Sequence, residues 1–278
     1  MRLIKPSVEI LEQGPGLQGI YDMIELCGKT SYKSEVKGGE EAKKFVDARI
    51  NEGHYAVLEF GTVYLKVPAE LGSDDWWLFE LANNKYTQTF WQSNFNYITT
   101  NLRVLVENGW TEALKYLCEP AEHHAKRYTA MVITDRGVTH EIVRHRAFSF
   151  CQESTRYCNY SKDKFGNELT FIKPSEMEFR DPAETGKPFT AGESLFIKSC
   201  REAEENYMEF LNRGFTPQQA RAVLPNAIKT EICVCGFEDA WKHFFDLRYR
   251  GTTGKPHPDM LNVATMLHDK FKAKGISL

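Results

Sequence analysis

The sequence lacks most of the strings by which common nucleotide-handling and hydrolytic enzymes are recognised. It has no G-x-x-x-x-G-K-[ST] phosphate loop and no G-x-S-x-G nucleophile elbow. No C-x-x-C occurs among its 7 cysteines. An odd number of thiols in a chain of this size argues against a disulfide framework and for a reducing compartment. Positive charge is scarce: 35 Lys and Arg face 38 Asp and Glu, a net charge of −3. A general nucleic-acid binder usually carries a basic excess, so no nucleic-acid partner is expected, and any phosphate chemistry must rest on a local cluster. No apolar run approaches the ~18 residues of a membrane span, and the N-terminal MRLIKPSVEILEQ has no long apolar stretch. A cytoplasmic protein without a membrane partner is the expectation.

In bulk the chain is ordinary. Its 278 residues, at roughly 150 per domain, allow one large domain or two small ones. The 42% hydrophobic and 26% charged content is that of a globular chain rather than a disordered one. Periodicity predicts a strand at Val8–Leu11, then a loop at Gly14-Pro15-Gly16. A helix follows on the stripe Ile20, Met23, Ile24, Cys27, and a second from about Glu40 stopped by Gly53. A strand at 62–67 ends at Pro68, and a helix at 76–83 is expected to be capped by Ser73, Asp74 or Asp75. Short strands are expected at 87–91 and 97–99, helices at about 100–108 and 111–127, a strand at 128–134 and a helix from Gly137. Residues 147–168 read mainly as loop, 169–172 as a strand and 173–192 as an exposed, proline-bearing connection. A long helix should run from Glu193 to Arg213, another should start at Thr216-Pro217, and a strand should span 227–234. Helices at 237–249 and 258–272 complete the chain. This order lacks a regular βαβ alternation, so the fold class is α+β rather than a doubly wound sheet, and no Rossmann-type dinucleotide unit is expected.

The densest unusual stretch is Glu141-Ile-Val-Arg144-His145-Arg146-Ala-Phe-Ser149-Phe-Cys151-Gln152-Glu153-Ser154-Thr155-Arg156-Tyr157. Three Arg and one His stand against a single Glu between residues 144 and 156 of a net-acidic chain. Guanidinium forks match phosphate, and the interleaved hydroxyls of Ser149, Ser154 and Thr155 suit an anion cage better than a merely solvated basic loop. If 153–157 is extended, Ser154 and Arg156 point the same way. No metal is expected: His140 and His145 are five apart, roughly 140° around a helix, and so cannot share a zinc ion as H-E-x-x-H histidines do. His123 and His124 read as exposed. Cys233 and Cys235 share one face of a strand and read as core. Arg221, alone in an apolar segment, and Arg248, after Phe244-Phe245, are candidate ligand contacts.

Together these residues resemble a known family. Arg144-His145-Arg146, seven residues and Ser154 form the R-H-R-x7-S signature of the flavin-dependent thymidylate synthases. Gly53-His54 with Glu59 resembles the family's G-H-x-x-x-x-E segment. Ala220-Arg221-Ala-Val-Leu-Pro225 resembles its A-R-x-x-L-P element, and His243-Phe-Phe-Asp-Leu-Arg248 its F-x-x-L-R element. The blocks occur in the expected order over roughly residues 20–270.

The resemblance implies synthesis of dTMP from dUMP, with 5,10-methylenetetrahydrofolate as one-carbon donor and FAD, reduced by NADPH, as hydride source. It implies a single mixed domain over residues 1–278 with a central, mostly antiparallel sheet flanked by helices. It also implies a homotetramer with shared sites. By resemblance, Arg144, His145 and Arg146 hold FAD, with Arg144 also near dUMP, and His54, Ala56, Gln152 and His243 border the flavin. Glu141, Gln152, Glu153, Ser154, Thr155 and Arg156 face dUMP, joined by Arg221 from another subunit. Arg248 is the catalytic cation, placed where charge develops on the uracil ring. No cysteine nucleophile is required.

Four positions depart from the family's commonest pattern: Cys151 stands for Asn, Gln152 for Glu, Glu141 for Gln, and His243 for an Asn that contacts the flavin. A segment at about 68–130 is extra, and its Trp76, Trp77 and Trp91 read as core filling. Two other functions share these residues: another flavin-dependent uracil methyltransferase, and a non-enzymatic nucleotide-binding module. The −3 charge argues against a tRNA substrate, and a flavin absorption band would argue against the module.

Overall fold

The computed structural model describes residues 1–70, 76–180 and 182–278, apart from the side chain of Glu184. The expected helix caps Ser73, Asp74 and Asp75 lie outside the described residues. The chain begins with strands β1 (Arg2–Ile4) and β2 (Ser7–Leu11), then helices α1 (Gly16–Thr30) and α2 (Gly39–Asn51). Strand β3 (Thr62–Pro68), helix α3 (Trp77–Ala82) and strands β4 (Gln88–Trp91) and β5 (Phe95–Asn101) follow, then helix α4 (Leu102–Glu107). Strand β6 (Arg127–Asp135), helix α5 (Arg136–Ile142) and strands β7 (Ser149–Gln152) and β8 (Thr170–Ile172) come next. The remainder is α6 (Pro182–Thr185), α7 (Ala191–Asn212), α8 (Pro217–Ala220), β9 (Lys229–Phe237), α9 (Glu238–Arg248) and α10 (Pro258–Ala273).

The α+β class holds. A four-stranded antiparallel sheet, in the order β2-β6-β9-β7, lies between helices. Alternation along its strands divides the core. Ala130, Val132, Ile232 and Val234 pack with Trp241, Phe244, Phe245 and Val263 of α9 and α10. Met131, Cys151, Cys233 and Cys235 face the other way, against Met23 and Cys27 of α1. Cys233 and Cys235 thus do share a buried face. The architecture is richer than one central sheet: β3-β5-β4 form a separate antiparallel sheet with its own core, and β1 pairs with β8 in parallel.

The string Gly14-Pro15-Gly16-Leu17-Gln18-Gly19 does carry the G-x-G-x-x-G spacing, between β2 and α1. It belongs to no parallel βαβ unit, because β2 pairs antiparallel with β6. The first amide of α1, at Gly16, already donates to Glu119 Oε1 at 3.2 Å, and a Cβ on Gly19 would lie 1.8 Å from the Gly14 carbonyl oxygen. These glycines close a tight turn.

Other expectations need correction. The helix expected over 111–127 is a short 3₁₀ helix of 6 residues at Thr111–Tyr116. Leu117 turns extended to bridge Leu65, Pro120 breaks the run, and β6 starts at Arg127. His124 is buried, not exposed: its Nδ1 accepts from the Ala121 amide at 2.9 Å, leaving Nε2 to donate to the Leu65 carbonyl at 3.0 Å. The stretch 147–168 holds strand β7, whose four residues pair with β9. The strand expected over 227–234 starts at Lys229 and runs to Phe237. Of the tryptophans Trp76, Trp77 and Trp91 expected to fill core, Trp77 does so while Trp76 and Trp91 are exposed.

Candidate functional site

The register places the site. Arg127 at the start of β6 opposes Phe237 at the end of β9, and Ser149 at the start of β7 opposes Cys235. One end of the sheet therefore gathers the 144–148 connection, the β9–α9 junction and Arg127. Gly236 is required there, because a Cβ on it would lie 2.3 Å from Phe148 Cδ1. The buried Phe148 ring in turn fixes the path of Arg144, His145 and Arg146.

These elements enclose a cleft of about 850 Å³, within the usual range for ligand sites. Arg144, His145, Arg146, His243 and Arg248 all line it. Arg144 and Arg146 are exposed, and neither guanidinium forms an ion pair or hydrogen bond among the described residues. Arg127 lies behind them. Its guanidinium donates to Thr62 Oγ1 at 3.2 Å and the Glu59 carbonyl at 3.1 Å, and stands 5.4 Å from the Phe237 ring centroid.

Arg248, in the last turn of α9, makes the most ordered contacts. Its Nη1 donates to Glu141 Oε2 at 2.7 Å, and its Nε donates to His145 Nε2 at 3.0 Å. His145 is buried against Phe244, with ring centroids 5.0 Å apart. Burial first, then the charge of Arg248 and the neighbouring His243, push its pKa down to about 4. It is a neutral ring whose Nε2 is an acceptor, so its proton sits on Nδ1. Glu141 lies at the end of α5, whose first turn is capped by Asp135 accepting from the Val138 amide at 2.8 Å.

The remaining sequence candidates lie elsewhere in the chain. His54 and Ala56 are exposed and do not line the cleft. The 154–157 stretch is a turn, not extended: Tyr157 and Cys158 donate their amides to the Ser154 carbonyl at 3.2 and 3.0 Å. Ser154 Oγ accepts from the Arg156 amide at 3.3 Å, while the exposed Arg156 guanidinium stands 5.1 Å from the Tyr157 ring centroid. Thr155 is buried. Gln152 donates to the hydroxyls of Thr139 and Thr230 at 3.0 and 3.1 Å. Glu153 is turned inward, paired with Lys229 at 2.9 Å and accepting from the Tyr160 hydroxyl at 2.9 Å. Arg221 is exposed, and it starts a 3₁₀ turn after α8 rather than sitting within a helix. Cys151 is buried, with its thiol pushed up to about 12 by burial, the wrong direction for a nucleophile.

The cleft also has residues that no motif marked: Lys85, Tyr86, Gln88 and Asp239. The three from residues 85–88 come from the extra segment, where composition offered only a Lys-Tyr pair after two asparagines. Among the described residues, no group of three or more His, Cys, Asp or Glu side chains could hold a metal ion.

The family model described as thymidylate synthase complementing protein matches residues 82–274. A flavin-dependent thymidylate synthase of Pyrococcus furiosus is 33% identical over 144 residues, 51% of this chain and 54% of that protein. One from Corynebacterium efficiens is 32% identical over 175 residues, 62% and 66% respectively. Each alignment thus spans less than two thirds of the relative. A solved UMP/dUMP methylase from Streptomyces cacaoi, bound with 5-Br dUMP, shares 14% identity over 98% of this chain and 97% of its own, at a TM-score of 0.45. That likeness is too loose to build on. The match over 193 residues, from 82 to 274, carries the assignment: the chain belongs to the thymidylate synthase complementing protein family.

Proposed function

We propose that this protein is a flavin-dependent thymidylate synthase that converts dUMP to dTMP. Methylenetetrahydrofolate would be its one-carbon donor and NADPH its reductant. One observation carries the reading: Arg248 is held by Glu141 and His145 in a cleft that also presents the unpaired guanidinium groups of Arg144 and Arg146. The donor set fits FAD. Free guanidinium forks suit a diphosphate, the Phe237 and His243 side chains offer flat surfaces, and about 850 Å³ leaves room for a dinucleotide with a second ring. When bound, the flavin supplies the hydride that turns the transferred carbon into a methyl group.

The chain's own residues position and polarise. Arg144 and Arg146 bind anionic groups. The neutral His145 accepts from Arg248 and leaves the full positive charge on the guanidinium. Arg248, oriented from two sides, holds that charge at a fixed place where negative charge develops on a uracil ring, with no reorganisation at the moment of reaction. Glu141, itself a carboxylate acceptor, can take the N3–H of the same ring. Arg221, Ser154 and Arg156 lie off this cleft, which supports a homotetramer in which they complete a neighbouring subunit's dUMP site. No helix among the described residues is long and apolar enough to cross a membrane. We read residues 1–278 as one catalytic unit, since the cleft draws on residues from Glu59 to Arg248. The test is chromatographic: purified protein with dUMP, methylenetetrahydrofolate, FAD and NADPH should yield dTMP, and omitting FAD should abolish it. No dTMP from a protein shown to bind flavin overturns the proposal.

A further inference from the structure

The extra segment brings an aromatic and a cation to the cleft that neither the signature blocks nor the packing explains. Tyr86 is half exposed and Lys85 is exposed, yet both line the cleft. The Lys85 Nζ stands 4.8 Å from the Tyr86 ring centroid and has no carboxylate partner among the described residues. Their backbone is pinned on both sides. The Tyr86 amide donates to Asn84 Oδ1 at 2.9 Å and the Thr87 amide to the Asn84 carbonyl at 2.9 Å. The Thr87 hydroxyl meets that of Thr100 at 2.9 Å, and Gln88 Nε2 reaches Asp239 Oδ2 on α9 at 3.3 Å. A large, half-exposed ring on a tethered turn, with an ammonium over it that has no carboxylate partner among the described residues, matches a flat heteroaromatic ring bearing an anionic tail. The R-H-R arginines come from a different element, the α5–β7 connection, so the cleft has two separate sets of anion-binding groups.

We propose that Lys85 and Tyr86 form a shelf for the second co-substrate, Tyr86 stacking its ring and Lys85 pairing with its negative tail. This rests on the function proposed above. Folate and nicotinamide dinucleotide share that chemistry, and the experiment separates them. Dissociation constants of tetrahydrofolate and of NADP⁺ are measured on FAD-loaded protein for wild type, Tyr86→Ala, Tyr86→Phe and Lys85→Ala, together with flavin content and dUMP affinity. Tyr86→Ala is expected to weaken one of the two ligands about 10-fold or more, the scale of losing one ring stack. Tyr86→Phe keeps the ring and should restore affinity. Lys85→Ala should weaken the same ligand, most at low salt. Flavin content and dUMP affinity should stay at wild-type values. The ligand that weakens names the occupant. If wild type converts dUMP but Tyr86→Ala leaves both constants unchanged, or weakens flavin alone, the shelf is overturned and the function stands. If wild type binds neither flavin nor either co-substrate, both fall.

Discussion

The Nε of Arg248 donates to Nε2 of His145 at 3.0 Å, and this bond fixes His145 as a neutral imidazole. Protonating the ring at Nε2 would set a second cation against the guanidinium, and burial already disfavours the charge. The folded pKa, about 4, lies below the ordinary 6.5. Between these values the unfolded chain binds more protons than the folded one, so stability rises with pH across roughly pH 4–6.5 and is lost as pH falls through that window. We predict that His145→Gln, an uncharged substitute, flattens this part of the pH–stability profile measured by urea denaturation. An unchanged slope would show that His145 is not its source.

Arg248→Ala should lower kcat by about 100-fold or more, the scale of removing one preorganised charge-stabilising group, while flavin remains bound. Arg248→Lys should fare little better, since an ammonium cannot reach Glu141 and His145 as a fork does. Turnover and flavin absorbance, measured on the same samples, check both statements. Near-normal activity would refute the catalytic role.

Glu153 makes the opposite case, a signature residue whose chemistry is turned inward. Its carboxylate is 1% exposed and rests on Lys229, which also pairs with Glu231 at 2.5 Å. Lys229→Ala strands a buried charge and should cost about 3–5 kcal/mol. The double variant Lys229→Ala/Glu153→Gln should recover part of that loss in thermal or urea unfolding. A double variant no better than the single would mean that the pair is not the source of the cost.

Cys151 packs under α1, with its thiol pushed up by burial and by the opposing Cys233. Cys151→Ala should keep turnover within about twofold and cost on the order of 1 kcal/mol in stability, as a small core truncation does. A collapse of turnover with stability intact would revive the nucleophile.

What the sequence made legible follows from periodicity and local chemistry. The stripe from Ile20 to Cys27 became α1, and Thr216-Pro217 opened α8 with its capping box. The long helix α7 is likewise capped, by Thr190 and Glu193. What stayed hidden depends on partners distant in sequence. The strand β7 is four residues at a sheet edge, visible only beside β9, and β1 is three residues paired with β8 some 168 positions away. His124 is buried because its ring bridges Ala121 and Leu65, which no single-residue preference reports. At the site, the clustered arginines stood out by charge against an acidic chain, and Arg248 by its aromatic neighbours. Lys85 and Tyr86 did not, because their place depends on how the β3-β5-β4 sheet lies beside α9. Ser154 and Arg156 stand in a turn whose amides are consumed locally, an arrangement that residue types alone do not specify.

The most direct test follows tritium released from [5-³H]dUMP under anaerobic conditions with methylenetetrahydrofolate, FAD and NADPH. Steady release that needs all three additions and is lost in Arg248→Ala is the predicted result. No release from flavin-loaded wild-type protein would contradict the account.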